Sequence, residues 1–366
     1  MATENLARTA LGAAHERLGA KLSPFGGFLM PIQYSGILDE HRAVRSAAGM
    51  FDLSHMGQFV ASGSGVDVWL DGLTCNAVAS MQPNQARYNV FTNDRGGARD
   101  DTIIYRMAGS FLIVVNASNS QKMWRLLESS KPAGVALVNR TAESALVAIQ
   151  GPRSLELLQP LADADLGAIK YYFAAQGKVA GITAELARTG YTGEDGFELF
   201  VRAEHAQALW DRLLSEGKRV GLLPAGLGAR DVLRLEAGMP LYGHELDEDI
   251  TPLQARLDWA VKFAKPDFIG KAALAEQRAA GDYRRIAGMV MEGKAPARAG
   301  YGVYFGGRNV GEVRSGAPAP ALGGRCIATA LVARDVSAPG SRLEVDIRGQ
   351  RHGATVVPLP FYKRTK

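Results

Sequence analysis

The chain has 366 residues, of which 47% are hydrophobic, 22% charged and 8% aromatic, and this ordinary globular composition excludes an intrinsically disordered chain. Lys and Arg exceed Asp and Glu by 42 to 37, and because the basic residues are scattered, the surplus favours an acidic substrate or protein partner over a nucleic-acid groove. The only cysteines, Cys75 and Cys326, lack CxxC spacing, which argues against a disulfide framework or a zinc site.

The N-terminal stretch MATENLARTALGAAHERLGAKL has no basic segment followed by an apolar one. It therefore predicts a capped amphipathic helix rather than a secretion signal. No apolar run approaches the ~18–20 residues that a membrane span needs. With only two cysteines, we expect a cytoplasmic protein that binds neither membranes nor nucleic acid.

Hydrophobic periodicity predicts strands and helices in mixed order along the first 283 residues. The predicted strands are 57–62, 86–92, 101–107, 111–116, 144–150 and 196–202, with a hairpin turn at 107–111. The predicted helices are 37–49, 118–130, 151–161, 205–217, 227–238 and 271–281. Gly49, Gly217 and Gly238 are expected to end helices, and Ser118 or Asn119 to cap one. The frequent hairpins and the lack of regular strand–helix alternation predict an α+β fold.

The C-terminal part of the chain has a different character. Residues 292–300 (EGKAPARAG) read as a linker. The segments around the linker and after it read almost only as strands, with glycine turns at Gly306-Gly307 and Gly349. This pattern predicts a small β-barrel or jelly-roll-like domain over residues 284–366.

Several well-known motifs are absent from the sequence. It has no GxxxxGK[ST] phosphate-binding loop, no GxGxxG dinucleotide fingerprint, no HExxH and no GxSxG. The six histidines show no metal-ligand spacing. We therefore expect neither a metal nor a nucleotide cofactor, and a chemistry that depends on carboxylates, arginines, aromatic rings and backbone groups.

The first candidate stretch is GGARDDTIIYR at residues 96–106. Adjacent aspartates are unusual at the start of a strand, because aspartate is a poor strand former. Alternation puts Asp101, Ile103 and Tyr105 on one face, with the carboxylate and the phenol ring ~13 Å apart. For Asp100, capping of the Gly96-Gly97 turn is the better explanation. For Asp101, capping and ligand binding explain the local sequence equally well.

The second candidate stretch is RTGYTGEDGFELFV at residues 188–201. Its three glycines allow a tight turn and a close approach to a ligand. The following strand places Glu198 on one face and Phe197 and Leu199 on the other. A buried carboxylate needs a cation or a forked donor, such as a planar heterocycle with two N–H groups. From these residues alone, a salt bridge to Arg230 or Arg234 is the simpler explanation.

Two further stretches carry weaker signals. In LGARDVLRLEAG (227–238), Arg230 and Arg234 lie four residues apart on one helix face, so they need acidic partners or an anionic ligand. The stretch at 24–58 is rich in glycine, aromatic residues and methionine and contains the pair His55-Met56. A single pair of this kind is more often explained by packing than by function.

Taken together and in order, these stretches resemble one family. The motifs are FGGF-x-MPIQY, EHRAVR-x-x-AGMFDLSHMG, GG-x-x-DD-x-IIY, AIQGP, RTGYTGEDGFE, GARDVLRLEAG-x-x-LYG and a terminal PFY. The set is similar to the aminomethyltransferases, or T-proteins, of the glycine cleavage system. The similarity runs from about residue 6 to the C-terminus. Single motifs recur across the wider folate-binding group, so the identification depends on the whole set.

The resemblance implies a three-domain cloverleaf around a tetrahydrofolate cavity. Two interleaved α+β subdomains would form residues 1–283, and the C-terminal barrel would form residues 284–366. The implied reaction moves the one-carbon unit of an aminomethyl group, carried on the dihydrolipoyl arm of a carrier protein, to tetrahydrofolate. Ammonia and 5,10-methylenetetrahydrofolate are released. The family also implies a monomer, and the basic surplus is consistent with an acidic carrier.

The resemblance also implies roles for individual residues. Asp101 matches the second aspartate of GG-x-x-DD, beside folate N5 and N10, as the catalytic carboxylate. Glu198 matches the glutamate that binds the pterin, which now outweighs the salt bridge, whereas Glu194 is a weaker candidate. Arg230 matches an arginine that contacts folate, and Tyr362 a C-terminal contact. The remaining predicted contacts are Met56, Tyr88, Tyr105, Val115, Asn116 and Tyr191.

Three other functions occur among proteins with related motifs. A flavin-fused oxidase of this group would need a dinucleotide-binding half that the chain lacks. A folate-dependent demethylase would have a very similar pocket. A non-catalytic folate-binding protein for iron–sulfur assembly is expected to carry a cysteine in a K-G-C-Y motif, but the corresponding region, PDFIGKAALAEQ, has none.

Overall fold

The computed structural model describes residues 6–365 and has the mixed α+β composition predicted from the sequence. The strands of the first 283 residues are β1 (Lys21–Phe25), β2 (Phe28–Gln33), β3 (Ala48–Asp52), β4 (Gly57–Gly63), β5 (Ala86–Thr92), β6 (Ala98–Met107), β7 (Ser110–Val115), β8 (Val135–Asn139), β9 (Ser144–Gln150), β10 (Ala174–Val179), β11 (Ile182–Ala187), β12 (Gly196–Arg202) and β13 (Leu222–Pro224). The later strands are β14 (Arg285–Met291), β15 (Gly302–Phe305), β16 (Arg308–Ala319), β17 (Arg325–Val332), β18 (Arg342–Ile347) and β19 (Gln350–Val357).

The α-helices of the described residues are short and fewer than the strands. They are α1 (Gly12–Arg17), α2 (Ile37–Ser46), α3 (Val66–Leu73), α4 (Ser120–Ser130), α5 (Ser154–Leu158), α6 (Ala206–Gly217), α7 (Leu227–Glu236) and α8 (Lys271–Ala280). Within residues 6–365, none of the helices is both long enough and apolar enough to span a membrane.

The chain forms two compact units, each built from three separated stretches. The first unit comprises Met1–Leu70, Val78–Tyr88 and Thr102–Asp231, and the second comprises Asp71–Ala77, Asn89–Asp101 and Val232–Lys366. The strands β5 and β6 both continue from one unit into the other.

The first sheet of the first unit has the strand order β10-β11-β12-β9-β3-β13. Its pairs are antiparallel except β13 with β3, which is parallel. One face packs against helices, with Phe197 and Leu199 of β12 in the same buried cluster as Trp210 and Leu213 of α6. This is the face that strand alternation predicted for the apolar residues of β12, so Glu198 projects from the other face.

The second sheet has the order β5-β6-β7-β4-β8. Thr102 of β6 and Gly57 of β4 both pair with Val115 of β7. Helix α4 covers one face, where the rings of Phe59 and Trp124 lie 5.3 Å apart, edge to face. Gly57 is required there, because a Cβ would lie only 2.7 Å from the Ser120 hydroxyl oxygen. Tyr105, three residues along β6 from Thr102, projects from the opposite face.

The C-terminal strands form a closed barrel in the order β14-β17-β16-β15-β18-β19. Closure follows because β14 pairs with both β17 and β19. Gly307 and Gly349 adopt φ values of 82° and 84° in the turns before β16 and β19, a left-handed conformation that favours glycine. The predicted small β-barrel is confirmed.

Several boundaries differ from the sequence prediction. The helix predicted at 37–49 ends at Ser46, and Ala48–Asp52 form β3, because this apolar segment pairs with β9 and is buried throughout. The stop expected at Gly49 was therefore wrong, whereas Gly238 does follow α7, with φ of 66°. Of the amphipathic helix expected at the N-terminus, α1 covers only 12–17, and residues 1–5 lie outside the described residues.

Seven strands of the first unit were not predicted, namely β1, β2, β3, β8, β10, β11 and β13. Their sequences explain this. The strands β1 and β2 each contain a proline. Strand β10 (AAQGKV) contains a glycine, and its apolar residues are two alanines and one valine. Pairing with neighbouring strands, rather than intrinsic preference, fixes these segments.

Candidate functional site

The centre of the candidate site is the carboxylate of Glu198, in the middle of the first sheet. Glu198 pairs with Ala148 of β9 and Ala187 of β11 and is 7% exposed. Its Oε2 accepts a hydrogen bond from the Tyr105 hydroxyl at 3.0 Å and another from the Thr189 hydroxyl. Both donors reach the same oxygen, so Oε1 keeps acceptor capacity for a further donor.

Among the residues that the structure describes, hydroxyl groups and not a cation hold this carboxylate. In the described part of the chain, Arg234 pairs with Glu245 of its own unit, at 2.9 Å. Arg230 lies over the ring of Tyr191, 4.6 Å from its centroid. The salt bridge that the sequence favoured before the resemblance was considered is therefore not what holds Glu198.

Tyr105 remains a hydrogen-bond donor at neutral pH. Burial, and then the neighbouring charge of Glu198, raise the pKa of its phenol well above the usual value. Its ring also packs edge to face against Phe200 of β12, with centroids 5.4 Å apart. Tyr105 thus connects the second sheet to the first through both a hydrogen bond and a ring contact.

The glycine-rich loop before β12 is fixed by Gln150. The Gln150 Nε2 donates to the Thr189 carbonyl at 3.0 Å, and its Oε1 accepts from the Thr192 hydroxyl at 3.0 Å. A Cβ at Gly190 would lie 1.9 Å from the Gln150 Oε1, so only glycine permits this close approach. Glu194 is bound to Arg45 at 2.8 Å, so it stabilises the loop.

Tyr191 and Arg230 form a partly exposed pair beside this loop. A guanidinium over a phenol ring contributes about 0.5–2 kcal/mol, depending on how well water is excluded. The pair places a flat aromatic surface next to a permanent positive charge. Such a surface is suited to a planar, anionic ligand.

Met56, Val115 and Asn116 come together where β4 begins and β7 ends. Gly57 pairs with Val115 in an antiparallel pair of strands. Met56 precedes Gly57 and Asn116 follows Val115, so both lie at the same end of the pair, and both are half-buried. The Val115 side chain is fully buried against Gly57, on the face that α4 covers. Only the backbone of Val115 is therefore available to a ligand.

His55 lies in the link between β3 and β4 and was interpreted from the sequence as a packing residue. Its ring contacts Phe25 and Phe28 of the β1–β2 hairpin edge to face, at 5.5 and 6.4 Å. Burial lowers the pKa of His55 to about 4, with Asp52 opposing and Arg230 adding to the shift. The imidazole is neutral at pH 7, and its Nδ1 has no hydrogen-bond partner among the described residues.

A buried hydrogen-bond chain at the end of β3 was not predicted. The Asp52 Oδ2 lies 2.9 Å from the Nε2 of His15 and accepts from the Thr9 hydroxyl at 2.6 Å. The His15 Nδ1 lies 2.9 Å from the Tyr34 hydroxyl. These residues are scattered over 44 positions and share no motif, so no local signal indicated the chain. It fixes the segment that leads to His55 and Met56.

The other predicted residues are distributed as follows. Tyr88 is half-buried in β5 and is the last residue of its stretch in the first unit. Asp101 and Tyr362 belong to the second unit, where both are half-buried. The Tyr362 N–H donates to the Glu236 carbonyl at 2.8 Å.

The two adjacent aspartates differ in burial. Asp100 is fully buried, whereas Asp101 is partly exposed. The turn that Asp100 was expected to cap is closed by Asn93, whose Oδ1 accepts the N–H groups of Arg95 and Gly97, both at 3.0 Å. Both aspartates lie inside β6, because this strand begins three residues earlier than predicted.

Comparisons with known proteins agree with the resemblance seen in the sequence. The family model of the GCVT N-terminal domain matches residues 11–265, and that of the glycine cleavage T-protein C-terminal barrel domain matches residues 284–363. The aminomethyltransferase of Streptomyces coelicolor is 47% identical, and the match covers all of both chains. That of Geobacillus thermodenitrificans is 46% identical over 99% of this chain and all of the relative.

A solved structure gives the same result for the fold. The glycine cleavage system aminomethyltransferase T from Bartonella henselae is 32% identical and superposes with a TM-score of 0.91, covering 98% of each chain. The predicted family and fold class are confirmed, and the chain is an enzyme of this class. The chain belongs to the aminomethyltransferase family, the T-proteins of the glycine cleavage system.

Proposed function

We propose that this protein transfers the one-carbon unit of an aminomethyl group from the dihydrolipoyl arm of the glycine cleavage carrier protein to tetrahydrofolate. One C–S bond and one C–N bond of the carrier-bound group break, and two C–N bonds form, at N5 and N10 of the folate. The two displaced protons leave with ammonia and the free thiol. The products are 5,10-methylenetetrahydrofolate, ammonia and the dithiol carrier, with no net oxidation or reduction.

The observation that carries the proposal is the spare acceptor of Glu198. Tyr105 and Thr189 orient the carboxylate through Oε2, so Oε1 is left for a ligand. A pterin ring presents adjacent N–H groups that a carboxylate accepts with charge-assisted hydrogen bonds. A buried carboxylate without a cation is costly, and a ligand of this kind offsets that cost.

Further residues, several of them aromatic, are assigned the rest of the folate contacts. Tyr191 under Arg230 provides a flat surface and a positive charge, which suit the benzoyl ring and the glutamate carboxylates of the ligand. Met56, Tyr88 and Asn116 are assigned to the same ligand on the family pattern, together with the Val115 backbone. Tyr362 of the second unit is assigned in the same way.

Asp101 is assigned the catalytic role. Strand alternation in β6 directs Asp101 to the same side as Tyr105. A carboxylate near N5 and N10 stabilises the positive charge that develops as ammonia or thiol leaves, and accepts a proton. Positioning of folate and the lipoyl arm supplies much of the remaining rate enhancement.

The remaining assignments follow the same proposal. The net charge of +5 favours an acidic carrier protein, and the protein acts as a cytoplasmic monomer that needs no metal or nucleotide. Residues 1–283 form the folate-binding core, with its two interleaved subdomains, and residues 284–366 the barrel domain.

The test is a coupled assay with carrier protein loaded with the aminomethyl group. We expect equal, tetrahydrofolate-dependent release of ammonia and methylenetetrahydrofolate. If tetrahydrofolate binds but neither product appears, the substrate assignment fails, and a demethylase or a non-catalytic folate binder becomes the better explanation.

The role of Asp101 is tested with Asp101→Asn. The loss of the charge should lower kcat by about 10²–10⁴-fold, a range typical of general acid–base residues, while the Kd of tetrahydrofolate changes little. Asp94→Asn, at an exposed position of the preceding turn, is the matched control and should behave like the wild type. Normal turnover by Asp101→Asn would exclude the catalytic role.

A further inference from the structure

Tyr172 is an aromatic residue in a backbone conformation that normally favours glycine. It lies in the turn before β10, and its φ of 62° is in the left-handed region. For a residue with a bulky side chain this conformation is strained, whereas glycine adopts it readily. Strain of this kind persists only where the surrounding structure fixes the residue, and it is concentrated at functional sites.

Backbone hydrogen bonds hold Tyr172 between two strands of the first unit. Its N–H donates to the Arg188 carbonyl at 2.9 Å, and its carbonyl accepts the Ala86 N–H at 2.8 Å. The carbonyl of the next residue, Phe173, accepts the Arg188 N–H at 2.9 Å. Arg188 follows β11 and Ala86 begins β5, so the position of Tyr172 is fixed from both sides.

This position lies near the carboxylate of Glu198. Ala187 of β11 pairs with Glu198 of β12 on one side and with Ala174 of β10 on the other. The three residues form one cross-strand row, which puts Ala174 ~10 Å from Glu198 at ~4.8 Å per strand. Tyr172 precedes Ala174 by two residues. Thr189, whose hydroxyl donates to Glu198, directly follows the residue that binds the Tyr172 N–H.

The phenol of Tyr172 also responds to Glu198. Burial is the main cause that raises its pKa, and electrostatic repulsion from Tyr171 and from Glu198 raises this pKa further. Tyr172 in turn adds to the raised pKa of Tyr105, for which burial and Glu198 are the larger causes. The Tyr172 hydroxyl therefore keeps its proton at neutral pH and remains a hydrogen-bond donor next to Glu198 and Tyr105.

The hydroxyls of Tyr105 and Thr189 bind Glu198, but that of Tyr172 is left for another partner. Within residues 6–365 it forms no hydrogen bond, and it is not one of the unpaired polar atoms that are sealed from water. Tyr172 is half-buried, so part of its side chain is open to a ligand. Its ring meets that of Tyr171 edge to face, with centroids 4.9 Å apart, which limits its movement.

We propose that the Tyr172 hydroxyl donates a hydrogen bond to the 4-carbonyl of the pterin ring, while Glu198 accepts the neighbouring N3–H. This inference deepens the proposed function and rests on it. In a reduced pterin, the 2-amino group, N3–H and the 4-carbonyl follow one another along one edge of the ring. A carboxylate matches the two donors and a hydroxyl matches the acceptor, so the two side chains together recognise this edge.

The test uses Tyr172→Phe, which keeps the ring and removes the hydroxyl. The Kd of tetrahydrofolate, measured by titration calorimetry, should rise ~3–10-fold, the contribution of one neutral hydrogen bond. The Kd of 4-amino-4-deoxytetrahydrofolate should not change, because this ligand has no 4-carbonyl. The melting temperature of the free protein should also stay the same, since the hydroxyl has no partner among the described residues.

Tyr171→Phe is the matched control, because it removes the same group from the adjacent tyrosine, which is 44% exposed. It should leave the Kd of both ligands unchanged. An equal loss of tetrahydrofolate affinity in Tyr171→Phe and Tyr172→Phe would indicate a general effect of the turn, and would overturn the inference. An equal loss for both ligands in Tyr172→Phe overturns it as well, because the contact would then not be to the 4-carbonyl.

The same titrations separate the two proposals. If the wild-type protein binds neither ligand, the proposed function fails. If it binds tetrahydrofolate and Tyr172→Phe binds it equally well, only the role of Tyr172 fails.

Discussion

Two buried glutamates, one in each unit, show how differently the fold treats a carboxylate. Glu245 of the second unit is 3% exposed, and its Oε2 accepts from Arg234 at 2.9 Å and from the Leu241 N–H at 3.0 Å. Its Oε1 accepts from the Thr329 hydroxyl. Glu198 of the first unit is almost as buried, but within residues 6–365 it has only two hydroxyl donors, both on one oxygen.

The difference separates a structural carboxylate from one that can bind a ligand. Burial by itself would raise the pKa of Glu245, but Arg234, Thr329 and the Leu241 N–H hold this pKa below its ordinary value. Glu245 has no capacity left for a ligand, because its charge is neutralised and both oxygens are occupied. Among the described residues, Oε1 of Glu198 accepts no hydrogen bond, and a spare acceptor is the condition that recognition of a heterocycle requires.

The largest expected effect is the loss of folding stability when Glu245 is replaced. Glu245→Gln removes the carboxylate charge that lies 2.9 Å from the guanidinium of Arg234, which is 1% exposed. Breaking a buried ion pair in this way should lower the free energy of unfolding by about 3–5 kcal/mol. Denaturant titration measures this change. Glu198→Gln is the matched control and should cost less than about 1 kcal/mol of stability, since no cation is left unpaired. Equal destabilisation by the two variants would mean that the ion pair of Glu245 adds no more stability than the hydroxyl contacts of Glu198.

The next effect is on ligand affinity. Glu198→Gln turns a charged acceptor into a neutral one, and hydrogen bonds to a charged group contribute about 1.5–3 kcal/mol each. The Kd of tetrahydrofolate should therefore rise about 10–100-fold, as measured by calorimetry. Glu194→Gln changes the same group in the adjoining loop, where Arg45 is the partner, and should not affect the Kd comparably. Wild-type affinity in Glu198→Gln would contradict the assignment of this residue to the pterin.

The smallest expected effect concerns His55, whose buried Nδ1 has no hydrogen-bond partner among the described residues. Its pKa is about 4 in the folded protein and near 6.5 when unfolded, so below pH 6.5 the unfolded chain binds a proton that the folded protein does not. The stability that depends on neutral His55 is therefore fully present above pH 6.5, and it decreases as the pH falls towards 4. Between pH 7 and pH 5 the loss should be ~2 kcal/mol.

The measurement is the free energy of unfolding at pH 7 and pH 5 for the wild type and for His55→Phe, which keeps a ring against Phe25 and Phe28. The charged groups that act on His55 are Asp52 and Arg230. Asp52 has a lowered pKa and contributes only below about pH 4, so it does not interfere in this range. The pH dependence should largely disappear in the variant. The same slope in both proteins would assign it to other groups.

Much of the fold was predicted from local pattern. The strands β4, β5, β9 and β12 were predicted at or within one residue of their observed bounds, because alternation is strong in GQFVAS and GFELFVR. The barrel followed from a run of strands with glycine turns. By contrast, β3 was assigned to the end of a helix, since AGMFD carries no alternation and is a strand only because β9 lies beside it.

The site divides in the same way. The sequence motifs alone indicated Glu198, Asp101 and Arg230, because glycine-rich loops and charged residues in apolar strands stand out locally. They did not indicate that hydroxyls rather than an arginine hold Glu198. They also did not show that the Val115 side chain packs against Gly57, on the face of the sheet that α4 covers.

By itself, then, the sequence determined the family, the fold class and the residue types available for the chemistry, because periodicity and motifs are local properties of the chain. The tertiary structure alone decided which buried polar groups are satisfied and which are left with spare hydrogen-bonding capacity. That distinction depends on partners that are remote in sequence, such as Tyr105 and Glu198, which are 93 residues apart. Hydrogen bonding is directional and short-ranged, so only the assembled sheets determine it.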